Sequence, residues 1–183
     1  YAYNDAVHPW SAPAGVSRGT VTMIHNLDIE LTDEDMGNLY NYTKPINCIN
    51  NISGTGLVIW GNKTTSSNST FLDRINVARL VKYLVKQCKT VSYRYLFQPI
   101  TLELFTSWKV TLENLLESIK IGEGLDSYLV IIDSTNNTDE TMARNEMNAT
   151  IRIKPLEVAE FINIDLVVTD TVEIVLEAES EVE

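Results

Sequence analysis

The sequence predicts an α+β domain: a mixed sheet packed against two long amphipathic helices, with an extended C-terminal β arm. Three observations carry this. Two stretches repeat apolar residues at helical spacing. Short β-like runs fall before and after them, in an order β-β-α-α-β-β-β that lacks a regular βαβ repeat. The chain then ends on a stretch of period-2 alternation, which needs a sheet to cover its apolar face.

Taken in order, residues 1–20 are rich in Ala, Pro, Ser and Gly and read as an extended segment lying over a surface. Thr32-Asp33-Glu34-Asp35 fits a helix start, with Thr32 as the cap, Asp35 reaching back to it, and acids at the positive end of the dipole. Lys44-Pro45 stops that helix, which is expected to end near Tyr42. Residues 46–49 and 57–60 are short β-like runs, the second framed by Gly54, Gly56 and Gly61. Residues 63–70 form a polar loop.

The first amphipathic helix carries Val77, Leu80, Val81, Leu84, Cys88 and Val91 on one face. The second carries Leu104, Phe105, Trp108, Leu112, Leu115, Leu116 and Ile119 at intervals of three and four. Pro99 separates them, and Gly122 and Gly124 terminate the second. Their apolar faces are the expected core, each large side chain contributing about 1.5–3 kcal/mol on burial before entropy is counted. Strands are expected at residues 128–132, 149–153 and 161–168, with a polar stretch at 133–146 holding a short helix.

The 183 residues are 44% hydrophobic, enough for one globular domain with a core. No apolar run approaches the roughly 18–20 residues that span a bilayer, so no membrane insertion is expected. The first residue is Tyr1 rather than Met, which reads as a piece of a longer chain. Cys48 and Cys88 read as free thiols in a reducing compartment. Asn41, Asn51, Asn62, Asn68, Asn136 and Asn148 each begin an Asn-x-Ser/Thr triplet. With no secretory signal, these read as chance products of an Asn- and Thr-rich composition.

Catalytic and ligand-binding patterns do not assemble. Gly56 to Thr64 superficially resembles a phosphate loop, but Asn62 interrupts the contiguous Gly-Lys-Ser/Thr that loop requires. His8 and His25 are isolated from each other and from the cysteines. No Gly-x-Ser-x-Gly occurs. Asp133, Asp139 and Glu140 lack the spacing of a calcium loop and read as a solvated turn and helix start. No cofactor, metal site or catalytic residue is expected, and the reading is non-enzymatic.

Two charge patterns stand out. Between Arg74 and Arg94 lie six basic residues and no acid, and Arg79, Lys82, Lys86 and Lys89 form a stripe opposite the apolar face. That stripe is either a solvated face or a docking face for an acidic partner, such as the tail of another copy. The last 29 residues hold nine Asp or Glu and no Lys or Arg, within a net charge of −11 that argues against nucleic acid as a partner. In the same tail Val172, Ile174, Leu176 and Ala178 alternate with Glu173, Val175, Glu177 and Glu179, reading as a subunit-linking strand with a solvated acidic end.

Four groups of motifs resemble, in order, the C-terminal inner domain of contractile bacteriophage tail sheath proteins. They are Asn4-Asp5-Ala6 with Pro9-Trp10-Ser11-Ala12-Pro13-Ala14-Gly15 and Arg18-Gly19; Ile46-Asn47 with Gly54, Gly56 and Trp60-Gly61-Asn62-Lys63-Thr64; Ile75-Asn76-Val77, Arg79-Leu80 and Phe97-Gln98-Pro99; and Asp133, Thr135, Pro155 and Ala159-Glu160-Phe161-Ile162. Ile100 and Val158 depart from the pattern, where the family often has Asn and Pro.

The resemblance implies a virion structural protein, assembled in the host cytoplasm, that polymerises helically around a tail tube. Its terminal arms would add strands to neighbouring subunits' sheets, and its contraction would drive the tube through the host envelope for DNA ejection. The implied partners are other copies of itself, the tube protein, and the baseplate and tail terminator proteins. On this reading residues 1–25 enter the domain, 26–169 are the inner core, and 170–183 are the linking arm, with the N-terminal part of the full protein absent. A baseplate or other virion binding module that docks an acidic partner through the basic stripe is the alternative from another class.

Overall fold

In the computed structural model, residues 1–24, 26–67 and 70–164 are described. The first 24 residues do more than lie extended. They carry two single helical turns, α1 (Ala2–Asp5) and α2 (Gly15–Arg18). Helix α3 (Asp33–Tyr40) starts as the sequence predicts. Asp35 N–H donates to Thr32 Oγ1 at 3.2 Å, while Asp35 Oδ2 accepts from Thr32 N–H at 3.1 Å, closing a capping box. Strands β1 (Cys48–Ile52) and β2 (Gly56–Trp60) then pair antiparallel, Asn50 opposite Val58. Residues 19–21 line the other edge of β2, where Ile59 N–H donates to Gly19 O and Val21 N–H to Leu57 O, both at 2.8 Å.

The two long helices are α4 (Ile75–Ser92) and α5 (Leu102–Ile121). Their predicted faces are the observed core. Leu80, Leu112, Leu116 and Ile119 are fully buried, with Leu84 and Trp108 beside them. Polar bonds fix the pair where the helices meet. Tyr95 OH lies 2.6 Å from Thr111 Oγ1, and Trp108 Nε1 donates to Ser92 Oγ at 3.1 Å. Strands β3 (Leu125–Ile131) and β4 (Thr150–Pro155) pair antiparallel and lay Tyr128, Val130, Ile151 and Ile153 onto this core. Between them runs a loop with the short helix α6 (Asp139–Ala143). The loop is stapled by buried Asn137, whose amide bonds Asn148 at both ends, at 2.7 and 2.6 Å.

The end of α5 shows what its glycines are for. Gly124 N–H donates to Ile119 O and Glu123 N–H to Lys120 O, the paired bonds of a Schellman motif. In that motif the left-handed position falls on Glu123, at φ 58°, and not on either glycine. The glycines instead make room for Trp10. A Cβ on Gly124 would stand 2.9 Å from the Trp10 ring and 2.6 Å from Ile119 Cγ2. Trp10 Nε1 donates to Gly122 O at 2.8 Å, and its ring stacks on His8 and meets Tyr83 edge-on.

The α+β class holds, with one correction to the sheet. There is no single mixed sheet among the described residues but two separate antiparallel pairs, β1-β2 and β3-β4. Both pairs are joined by connections that return the chain beside itself, so neither forms the long crossover that a parallel pair requires. Residues 161–164 carry no strand; the remainder of the strand expected at 161–168 lies outside the described residues. Both cysteines are free, Cys48 buried and Cys88 half-buried, and burial raises the pKa of each thiol.

Candidate functional site

The sequence motifs, scattered along the chain, meet where the C-terminal segment leaves the body. Gly61 lies at φ 142°, and a Cβ there would be 2.5 Å from Asn47 Oδ1. That closeness lets the Asn47 amide embrace Lys63, donating to its carbonyl at 2.8 Å and accepting from its N–H at 3.1 Å. Asn62 is buried and donates to buried Asn76 at 2.8 Å, and Ile75 N–H donates to Asn62 O at 2.8 Å, so β2 hands directly onto α4. Lys63 turns back over the Tyr40 ring, its Nζ 4.1 Å from the centroid and 3.0 Å from Tyr40 O.

On this platform the exit segment is pinned by Glu160. Its Oε1 accepts from Arg74 Nε at 2.6 Å, and Arg74 also meets Asp73 at 2.9 Å. Burial raises the pKa of the Tyr40 hydroxyl well above the ordinary range, and its hydrogen bond to Glu160 adds to the shift. The Tyr40 hydroxyl therefore stays neutral. Phe161 packs edge-on against the same ring at 6.4 Å. Segment 155–161 runs between two open grooves, one of about 760 Å³ lined by Phe71, Arg74 and Val77, the other of about 460 Å³ lined by Met36, Tyr40 and Trp60. At its end Phe161, and beyond it Ile162 and Ile164, stand 71–81% exposed.

The predicted basic stripe divides. Arg79 is drawn inward: its guanidinium pairs with Asp5 and lies over the Tyr1 ring, 4.6 Å from the centroid. Asn4 beside it is buried and donates to Ser11 O at 2.8 Å, so the first motif closes on itself and straps α4. Lys82, Lys86 and Lys89 remain exposed and enter no ion pair among the described residues. The β3-β4 pair has no further strand on either edge among the described residues. Its outward face presents Arg152, Leu129 and the Lys154–Asp126 pair at 2.9 Å. The linking-arm residues Val172, Ile174, Leu176 and Ala178 lie outside the described residues, as do His25 and Asn68.

Residues 56–60, part of the stretch resembling a phosphate loop, are strand β2. Asp133 caps its own turn, accepting from Thr135 N–H at 2.8 Å, while Thr138 caps α6 and Arg144 pairs with Glu140 at 2.8 Å. Among the described residues no group of three or more His, Cys, Asp or Glu is placed to hold a metal ion. What the described residues build is a set of anchor points for the N-terminal and exit segments and a two-stranded sheet with open edges. Sequence reasoning missed Tyr40 altogether, and quoted Asp5 within a motif without its partner Arg79. Neither bears a local signal, since each is recognised only by a residue far along the chain.

The fold is that of contractile-sheath subunits. It matches a sheath complex of an extracellular contractile injection system in its contracted state, with a TM-score of 0.78 and 26% identity over 90% of this chain and 47% of that one. The helical sheath of the anti-feeding prophage, also contracted, shares the fold at a TM-score of 0.76 and 22% identity, over 91% of this chain and 47% of that one. By sequence the chain is 33% identical over 171 residues to the tail sheath protein of Vibrio phage KVP40, covering 93% of this chain and 25% of the relative. It is equally 33% identical over 162 residues to the tail sheath protein of Enterobacteria phage T4, covering 88% of this chain and 24% of the relative. No family model matches the chain. The chain is thus similar to contractile tail sheath proteins over most of its own length, and it spans about a quarter of the length of the curated relatives it matches.

Proposed function

We propose that this chain is the inner, C-terminal part of a contractile phage tail sheath subunit. The full protein polymerises helically around the tail tube, and its contraction drives the tube through the host envelope. The observation that carries this beyond the similarity is the β3-β4 hairpin, whose inner face is core while both edges lack a partner strand among the described residues. Open edges are templates for strand addition, which supplies directional main-chain bonds between subunits. The linking strand is Val172, Ile174, Leu176 and Ala178, with its apolar face toward the neighbour's core. The exposed apolar side chains at the exit, Phe161, Ile162 and Ile164, suit a surface that other copies cover.

The role is structural and non-enzymatic, with no cofactor: contraction exchanges one packing of subunits for a lower-energy one. The partners are other copies of itself, the tube protein, and the baseplate and tail terminator proteins, within a virion tail. No helix among the described residues is long and apolar enough to cross a membrane. The test is negative-stain microscopy of the full-length protein. Helical tubes that disappear on deletion of residues 170–183 support the reading. Intact assembly and contraction after that deletion reject the linking-arm role. Discrete rings or monomers that bind an acidic partner favour a baseplate module instead.

A further inference from the structure

We propose that the acidic C-terminal end of one copy, Glu179, Glu181 and Glu183, docks on the Lys82–Lys86–Lys89 row of α4 in a neighbouring copy. This deepens the sheath reading and rests on it for the existence of a neighbour. The solvated end of the tail thereby becomes a second contact, separate from strand addition.

The row is defined by subtraction. Of the six basic residues from Arg74 to Arg94, Arg74 is engaged by Glu160 and Asp73, Arg79 by Asp5, and Arg94 lies past the end of α4, off its row. Other cations of the chain also meet internal partners: Lys63 on Tyr40, Arg144 on Glu140 and Glu146, Lys154 on Asp126. Lys82, Lys86 and Lys89 are exposed, lie on one helix face and have no carboxylate partner among the described residues. On a chain with 25 acids and 14 bases, an unmatched basic row faces a strong excess of acid elsewhere.

That excess is concentrated at one place. The last 29 residues hold nine of the 25 acids and no base, so they carry nine of the eleven units of net negative charge. This part of the subunit carries −11, so where two copies of it meet, the contact requires complementary faces. Spacing agrees. Glu177, Glu179, Glu181 and Glu183 recur at every second position, and an extended chain sets such residues on one side about 6.6 Å apart. Along α4 the lysines are separated by a rise of about 6 Å and then about 4.5 Å, a mismatch that their long stems absorb. Exposed pairs are individually weak, so three of them are expected to shift assembly by about tenfold, most at low salt.

The experiment is a charge swap in the full-length protein. One variant reverses the row (Lys82→Glu, Lys86→Glu, Lys89→Glu), a second reverses the tail (Glu179→Lys, Glu181→Lys, Glu183→Lys), and a third carries both. Each single reversal is expected to raise the protein concentration needed for polymer formation about tenfold at low salt, and the third variant to restore it. Mixing the two single reversals distinguishes neighbour from self. If tails reach neighbouring copies, the mixture polymerises like wild type, because each tail finds an opposite row on the other variant. Unchanged assembly in the single reversals overturns the proposal, and so does a mixture that fails while the third variant succeeds, which places the tail on its own row. A wild-type protein that forms no polymer rejects the sheath reading itself. The docking is then read from a labelled peptide of residues 170–183: at least about tenfold tighter binding to the wild-type chain than to the row-reversed one supports it, and equal binding overturns it.

Discussion

Glu160 Oε1 lies 2.6 Å from Arg74 Nε, joining the exit segment to the start of α4 across 86 positions. Both side chains are partly buried, at 14% and 31% exposure. A hydrogen bond between charged groups contributes about 1.5–3 kcal/mol, more than a wet surface pair. Glu160→Ala is expected to lower stability by that amount and to speed chymotryptic cleavage after Phe161, at the end of the exit segment. A double-mutant cycle with Arg74→Ala, followed by urea unfolding, is expected to return a coupling of at least about 1 kcal/mol. Additive effects would deny the contact any role in holding the segment.

Glu123 occupies the left-handed position that ends α5, at φ 58°, and sets a negative charge at the negative end of the helix dipole. Glycine adopts that backbone without steric cost. Glu123→Gly is therefore expected to stabilise the protein by about 0.5–1 kcal/mol, read as a rise of a few degrees in Tm.

At the neighbouring Gly124 the expected outcome has the opposite sign. A methyl group there meets Ile119 at 2.6 Å and Trp10 at 2.9 Å, both within the core. Gly124→Ala is expected to cost about 1–3 kcal/mol, as overpacking does elsewhere. Its tryptophan fluorescence should report a displaced Trp10.

Phe97 combines φ 65° with a ring that is fully exposed. An aromatic residue in left-handed backbone carries strain, and here no burial offsets it within the chain. Phe97→Gly is expected to stabilise the isolated domain by about 1 kcal/mol in thermal unfolding. A loss of stability would mean that the ring packs on something within the chain.

Asp35 accepts from the Thr32 hydroxyl and N–H, which lowers its pKa. A lowered carboxylate stabilises the fold above its unfolded value of about 3.9, and that contribution fades as pH falls through the lower folded value. The Tm difference between wild type and Asp35→Ala should be widest above about pH 5 and shrink as pH drops toward 2. A difference that is flat over that range would remove the capping carboxylate from the account.

Local signals were legible and distant ones were not. The Thr32–Asp35 box, the α4 and α5 faces and the end of α5 all follow from spacing within a few turns, where one residue constrains the next. Gly122 and Gly124 read as a helix stop, but their deeper reason is Trp10, which lies 112 positions before Gly122. The same distance problem hides the Arg79–Asp5 pair: charge spacing put Arg79 in a surface stripe, and only the folded N-terminal turn takes it out. The motifs resembling sheath proteins pointed to the right residues without their roles. Asn47, Asn62, Asn76 and Glu160 each act through a partner 14 or more positions away, so the junction they form exists only after folding. Periodicity also carries no strand partner, which is why one mixed sheet was read where two hairpins stand.

The seat of Trp10 bears on the order of events as the chain is made. Residues near the beginning wait for Gly122 and Gly124 to be synthesised and for α5 to end correctly before the indole can leave water. Closing so long a loop is slow relative to forming the α4–α5 hairpin, whose contacts are local. The helical pair and the β3-β4 hairpin are thus expected to fold first, and the N-terminal segment to dock last. Until it does, Arg79 keeps its charge in solvent and α4 displays one continuous row of four cations, so a nascent subunit presents a different electrostatic face from the finished one.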